Sequence, residues 1–581
     1  MKTFLVLSET TLIPLLVFGL MRYEVHIVGV LPHTRFLRGP LRAVAALAFR
    51  LGLVRDVKAI SADLSWIEGL PGDGRFNDIF QTVADRLAEI YPQPDAASAV
   101  AEYGYAMRKC LTDYTTDVIS VLVLIKWVEE NRQPDTWKLV GAPPLMGRVY
   151  QLYFDREPPF KGNGGRLLRP LYNILNGLGI LVAALGWLAL RTRPTPALLQ
   201  KYHLAVDIIS LRFERELLKN LTDDPSEALL VYRTEATRQN FKRNFQEYSG
   251  CVLGDARTDV ARFAKLSAAL VGDMWRLWKT TSSVEPGLFG RYCTLVGKRA
   301  MFAAFFQRHQ PRFFFGRDDY SIDHIIRNQE LRKVGGTSIG MMHGIPTNTY
   351  ISEWNEVDFD IYLVMGWHLY EKFYRDMWPS HMKVVATGCF RMTPEYFARR
   401  HQTRPDDIAY FPIVHRNSDF LMAETFRVAE HFSDRTVYVK MKAGRGDVEQ
   451  QRFERQVEQA PANVVIYEDV VAYDLLLKIS YALGAGTTVS AEAVCFGVKS
   501  FVFDADPKFK KYYFRNFPEI IVETADDVIQ KIEDIEAGRA TYNFDGLDEM
   551  IAMPDQDFFS VMRHTIETYT DDSQTGAFAS P

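Results

Sequence analysis

Residues 481–506, YALGAGTTVSAEAVCFGVKSFVFDAD, decide the fold. Tyr481 to Gly486 is an apolar run closing in Gly-Ala-Gly, Val489 to Phe496 reads as helix, and Lys499 to Asp506 is a second strand-like run. Working outward, the same alternation recurs. Ile408–Val414, Thr436–Lys442, Asn463–Asp469 and Glu519–Val522 read as further strands. The stretches Asp419–Phe432, Val448–Gln459, Val470–Lys478 and Ala525–Ala537 read as the helices among and after them. Strands alternating with helices predict a parallel sheet covered on both faces.

Upstream the strands are more widely spaced: Ala228–Arg233, Arg312–Gly316, Thr337–Met342, Asp360–Met365 and Lys383–Thr387, the last two closed by Gly366 and Gly388. Residues 39–220 read as mainly helical. The opening residues parse as strand (Thr3–Leu7), helix (Thr11–Met21) and strand (Glu24–Val30), with a Ser/Thr cluster supplying the helix cap, rather than as a cleaved leader. A chain of 581 residues is too long for one core. The expectation is an α/β protein of two Rossmann-like domains facing a cleft, with a large, mainly helical insertion in the N-terminal half. The boundaries expected are 1–355 with an insertion at about 62–225, then 356–545, then a return helix and polar tail at 546–581.

Bulk composition narrows the class. Hydrophobic residues make up 47% and charged residues 24%, which excludes wholesale disorder. A balance of 68 basic against 72 acidic residues argues against a dedicated nucleic-acid binder. Five scattered cysteines lack CxxC spacing, so neither a disulfide framework nor a zinc site is expected, and a reducing cytoplasm fits.

One block stands apart: Leu171 to Leu190, LYNILNGLGILVAALGWLAL, flanked by Arg166, Arg169, Arg191 and Arg193. As a helix it would be about 30 Å long, enough to cross a bilayer. Three readings compete: a single crossing, a buried hairpin of a helical subdomain, and a monotopic insertion into one leaflet with arginines at the headgroups. We favour the leaflet. A crossing would be topologically impossible if the opening βα-β unit shared a sheet with the strands near 313–344.

Ligands in open α/β sheets bind beyond the carboxyl ends of the strands. There, Gly484, Gly486, Thr487, Thr488 and Ser490 stand between a strand and a helix start, where glycines permit close approach and N–H and hydroxyl groups attract phosphate. Glu492 can accept ribose hydroxyls. The plainer reading of this turn is packing alone. Lys440 and Lys442 share one face at a strand end, and Arg391 (just after Gly388) and His415 are similarly placed to neutralise a phosphate leaving group. An exposed basic edge is the plainer alternative. On the opposite wall, the strand Thr337–Met342 runs directly into His343-Gly344, and Asp318 and Asp319 follow the preceding strand. His343 and Asp319 rank equally as a base for an acceptor hydroxyl. The aspartates can equally bind sugar hydroxyls or cap the helix beginning near Ser321. No convincing cluster of metal ligands accompanies them, so neither metal nor cofactor is expected.

The element His343-Gly344-Ile345-Pro346, the strands closed by Gly366 and Gly388, and LGAGTTVSAEAVCFGVKSFVFD (Leu483–Asp504) resemble GT-B glycosyltransferases. The likeness is closest to bacterial capsule and lipopolysaccharide enzymes, including Kdo and sialic acid transferases. Teichoic acid glycerophosphotransferases share a similar His-Gly-x-Pro element. The resemblance runs from Arg312 to about Val522. It implies a nucleotide-sugar donor on Gly486 to Glu492, His343 at the interdomain centre, and a lipid-linked or surface-glycan acceptor at the inner face of the membrane. Two departures bear on the chemistry. Lys442-Ala443 stands where transferases using CMP-sugars often carry His-Pro. Gly484 and Ser500 stand eight positions either side of Glu492, where retaining members often have a second glutamate, so an inverting, metal-independent reaction is expected. The alternatives are a CDP-polyol phosphotransferase of the teichoic acid type and a non-catalytic glycan-assembly scaffold. A sugar-nucleotide 2-epimerase shares the fold but would be smaller and lack the apolar block.

Overall fold

The computed structural model describes residues 4–7, 24–27, 101–131, 137–140, 144–158, 168–194, 198–208, 212–346, 354–412, 418–440, 453–467, 471–504 and 513–575, with isolated positions at 47, 50, 51 and 83. Three short parallel strands, β1 (Phe4–Leu7), β2 (Glu24–Ile27) and β3 (Trp137–Val140), form a small sheet in the order β2-β1-β3. The expected opening strands are therefore present, and the helix expected at 11–21 lies outside the described residues. Among the described residues these strands do not join the large sheet, so the topological argument against a membrane crossing does not apply.

Next come β4 (Thr192–Arg193), β5 (Gln200–Asp207), β6 (Ala228–Tyr232), β7 (Ser249–Val252), β8 (Thr258–Asp259), β9 (His309–Gly316), β10 (Thr337–Met341), β11 (Ile361–Val364) and β12 (Lys383–Ala386). Strands β4 and β8 pair with each other, and the rest form one parallel sheet ordered β12-β11-β10-β9-β5-β6-β7. Strand β5 lies within the segment expected to be helical. Its first half, Gln-Lys-Tyr-His, is polar and partly exposed, and only its second half is buried. Strand β11 pairs in register with β10 (Ile339 opposite Ile361), and β12 pairs with β11 (Ile361 opposite Lys383). The division expected at residue 355 therefore moves past Ala386.

The second sheet comprises β13 (Ile408–Phe411), β14 (Val437–Val439), β15 (Val464–Ile466), β16 (Tyr481–Gly484), β17 (Lys499–Phe503) and β18 (Ile521–Val522). Its order is β15-β14-β13-β16-β17-β18, all parallel. Both large sheets thus follow a doubly wound order, with reversal between β5 and β9 in the first and between β13 and β16 in the second. Crevices at strand ends form where the order reverses. Strands β11, β13 and β16 are buried at every residue, as a sheet covered on both faces requires.

The C-terminal segment ties the units together. Ala552 N–H donates to Met365 O at 2.8 Å, and His368 N–H donates to Glu549 O at 2.9 Å. The final helix, Phe558–Thr575, returns to the first unit, with the Phe559 ring stacked 6.2 Å from that of Phe213. This crossing explains Gly388. A Cβ at Gly388 would meet Ala552 O at 2.2 Å, so the glycine seats the returning chain rather than a ligand.

The apolar block is one unbroken helix, Leu168–Arg191, not a hairpin. It is long and apolar enough to cross a membrane, yet only 22% of its apolar window is buried in the fold. It packs along helices Val260–Thr281 and Pro286–Phe306. Near its start, Asn173 Nδ2 donates to Ser282 O and Val284 O at 2.7 and 2.9 Å; at its end, Arg191 Nε donates to Gly254 O at 2.9 Å. Both ends are therefore tied to the same body.

Candidate active site

Between the two sheets lies a cleft of about 670 Å3, within the usual range for small-molecule sites. Its first wall carries Phe213, Glu216, Lys219 and Asn220 from the helix following β5, Arg317 after β9, and His343 after β10. Its second wall carries Arg391, Tyr473, Thr488, Val489 and Glu492, with Phe559 of the return helix at the margin.

The turn at His343 is held from beneath. Its N–H donates to Asp319 Oδ2 at 3.1 Å, and Trp354 Nε1 and Tyr362 Oη donate to the same oxygen at 2.9 Å. The imidazole is exposed at the cleft, its ring 4.6 Å from that of Tyr320, which stacks on Trp354. Asp319 itself is fully buried. Asp318 is buried too, paired with Arg327 at 2.7 Å and Arg233 at 3.5 Å. Neither aspartate lines the cleft, which corrects the expectation that either one acts as base there. Burial alone would raise the Asp318 carboxyl, but Arg327 and Arg233 outweigh it and hold the group below its ordinary range.

Asp319 behaves oppositely. Burial outweighs its three donors, aided by the neighbouring Asp318 charge, and pushes its carboxyl up to about 7. A carboxyl raised in the folded state favours folding fully below its unfolded pKa near 3.8 and loses that contribution as pH rises through 7. Wild type should therefore lose a few kcal/mol relative to Asp319→Asn between about pH 4 and pH 8. Denaturation midpoints measured across that range check this; parallel profiles would refute it.

On the second wall, the turn 484–490 is largely self-satisfied. A Cβ at Gly484 would lie 2.1 Å from Ser490 Oγ, so the missing side chain makes room for that serine. Ser490 is fully buried, its Oγ paired with Thr487 Oγ1 at 3.2 Å, while Thr487 caps its own helix by accepting from Ser490 N–H. Gly486 takes the left-handed conformation (φ 75°) that the turn needs. Gly484, Thr487 and Ser490 thus build the turn and do not line the cleft. Thr488 does, and it meets the opposite wall: its Oγ1 sits 2.5 Å from where a Gly344 Cβ would be.

Glu492 lines the cleft but is mostly buried, accepting from Tyr473 Oη, with Cys389 Sγ 3.9 Å away. Burial raises its carboxyl despite Tyr473 and Arg391. Arg391 is exposed in the cleft, close enough to influence both Glu492 and Arg317. Lys440 follows directly on β14, its N–H donating to Tyr410 O at 2.9 Å, and does not line the cleft. Lys442 and His415 lie outside the described residues.

The sequence reading missed Arg317, Lys219 and Tyr473. Arg317 was overshadowed by the aspartates that follow it, and Lys219 belongs to a helix whose preceding strand went unrecognised. The cleft therefore places an imidazole and a guanidinium on one wall against a second guanidinium and a helix start on the other. Such a constellation can accept a proton at one side while neutralising an anion at the other. Among the described residues no three His, Cys, Asp or Glu side chains gather as a metal site would require.

No family profile matches the chain, and no curated protein matches it. Solved structures with a similar fold include the UDP-GlcNAc 2-epimerase from Neisseria meningitidis bound to UDP-GlcNAc (9% identity, TM-score 0.41, 64% of this chain and 100% of that one). Others are MurG of Acinetobacter baumannii (12%, 0.35, 63% and 99%) and the wall teichoic acid polymerase TagF (11%, 0.38, 71% and 99%). At this distance, function has to be argued from the cleft itself.

Proposed function

We propose that this protein is a GT-B-type glycosyltransferase that moves a sugar from a nucleotide-sugar donor to a lipid-linked or surface-glycan acceptor, by an inverting and metal-independent reaction. The observation that supports it best is the pairing of His343 on one wall with Arg391 and Thr488 on the other, at the strand ends of two doubly wound sheets. In this reading His343 takes the proton from the acceptor hydroxyl as its oxygen attacks the anomeric carbon. The bond from that carbon to the nucleotide's phosphate oxygen breaks on the opposite face. Arg391 and the N–H groups at the start of helix Thr488–Cys495 stabilise the departing phosphate. The acceptor's lipid end stays in the cytoplasmic membrane, which the protein meets peripherally or monotopically from the inner face through Leu171–Leu190.

Thermal-shift screening against CMP, CDP, UDP and GDP identifies the nucleotide, since a ligand of the folded state alone stabilises by about 2.7 kcal/mol at a hundredfold excess over its Kd. Arg391→Ala should weaken binding of that nucleotide by about 10- to 100-fold, as loss of a charge-assisted contact implies; calorimetric titration checks this. The anomeric configuration of the product, read by NMR, tests inversion. Release of CMP from a CDP-linked polyol with a new phosphodiester would instead assign the polyol-phosphate reaction. Absence of any nucleotide binding would favour the scaffold.

A further inference from the structure

The helix Leu168–Arg191 does not present its apolar surface alone. Leu171, Leu175, Leu178, Val182 and Leu190 form an exposed stripe at helical spacing, with Val182 67% and Leu190 76% exposed. Beside it, helix Val260–Thr281 exposes Val260, Val271 and Trp275, the tryptophan 67% exposed. The two helices touch beside these stripes: Trp278, one turn beyond Trp275, packs against Gly177, next to Leu178 in the chain, 3.6 Å from where its Cβ would be. Soluble monomers rarely leave so long an apolar face to water.

Charge says what covers it. The sequence 168–191 has no acidic residue, and the sole acid of 260–281, Asp273, is buried against Tyr103, Arg276 and Arg299. Lys265 and Lys279 are exposed on the second helix, and Arg193 is exposed just past the end of the first. An apolar face bordered by cations, with a tryptophan on it, matches the interface of a bilayer carrying anionic headgroups. The ties at Asn173 and Arg191 hold both helix ends against one body, so the helix lies along the surface rather than across it.

We propose that the faces of helices 168–191 and 260–281 together form a monotopic docking surface for an anionic leaflet. The inference deepens the reading of a membrane-borne acceptor, and its purpose rests on that reading, but its test does not require catalysis. The full chain should sediment with phosphatidylcholine vesicles containing phosphatidylglycerol, and less with phosphatidylcholine alone. Leu178→Glu with Val182→Glu should cut partitioning by about tenfold or more, because each charge must enter the apolar boundary. Trp275→Ala should weaken it, and Lys265→Glu with Lys279→Glu should abolish the preference for phosphatidylglycerol. All these positions are exposed, and an unchanged melting temperature confirms folding. Wild type remaining in the supernatant with both vesicles would overturn the proposal. So would charged variants that bind as wild type does, or a wild-type dimer in sedimentation velocity that Leu178→Glu with Val182→Glu dissolves without any vesicle binding. If vesicle binding fails while nucleotide binding persists, the surface falls and the active-site reading stands; the reverse result separates them equally.

Discussion

Replacing His343 with alanine should lower transfer by about 10²- to 10⁴-fold while leaving nucleotide binding unchanged, the loss expected when a positioned general base is removed. Binding survives because the residues proposed to hold the nucleotide, Arg391 and Thr488, stand on the other wall. The turn carrying residue 343 survives as well: it is held through its main-chain N–H on Asp319, which alanine retains. Single-turnover transfer and calorimetric nucleotide binding, measured on the same preparation, separate the two effects. Full turnover in His343→Ala would remove the imidazole from the mechanism. Equal losses in binding and turnover would place it in donor recognition instead.

The second large effect concerns stability. Gly388→Ala and Gly366→Ala should each cost about 3 kcal/mol or more, the range of substitutions that force backbone apart. A Cβ at Gly366 would sit 2.3 Å from Met550 O, and one at Gly388 sits 2.2 Å from Ala552 O with φ at 68°. The returning chain cannot yield, because it is hydrogen-bonded to Met365 and His368 on either side of Gly366. Gly538→Ala is the control: its φ is 69°, but nothing lies within 4 Å, so only the left-handed strain of about 1–2 kcal/mol applies. Urea denaturation gives the comparison. If Gly388→Ala proves no worse than Gly538→Ala, the returning segment does not constrain these strand ends.

The second sheet was legible because its central strands are buried on both faces. Ile408–Phe411, Tyr481–Gly484 and Lys499–Phe503 need apolar residues at nearly every position, and the turns between them need glycine or a capping hydroxyl. The first sheet was half legible. Strand β5, next to its point of reversal, hides behind Gln200-Lys201-Tyr202-His203, whose polarity reflects exposure at the strand's start. Its partner across the reversal, β9, was recognisable from the phenylalanine run 313–315. Of the candidate site, His343, Arg391, Thr488 and Glu492 reach the cleft. Gly484, Thr487 and Ser490 instead satisfy one another, and Gly388 serves the returning chain.

By itself the sequence determined which segments alternate as strand and helix, and that a histidine ends a strand where ligands bind. Periodicity and turn chemistry are local, so they are written in neighbouring residues. Only the tertiary structure decided that Asp318 and Asp319 face inward, that strands β11 and β12 belong to the first sheet, and that the apolar helix lies outermost. Each of these depends on partners far away in the chain: Arg233 and Trp354 for the aspartates, β10 for β11 and with it β12, Ser282 and Gly254 for the helix. Burial of a charge, or exposure of a leucine, is a property of the packed whole that no single stretch encodes.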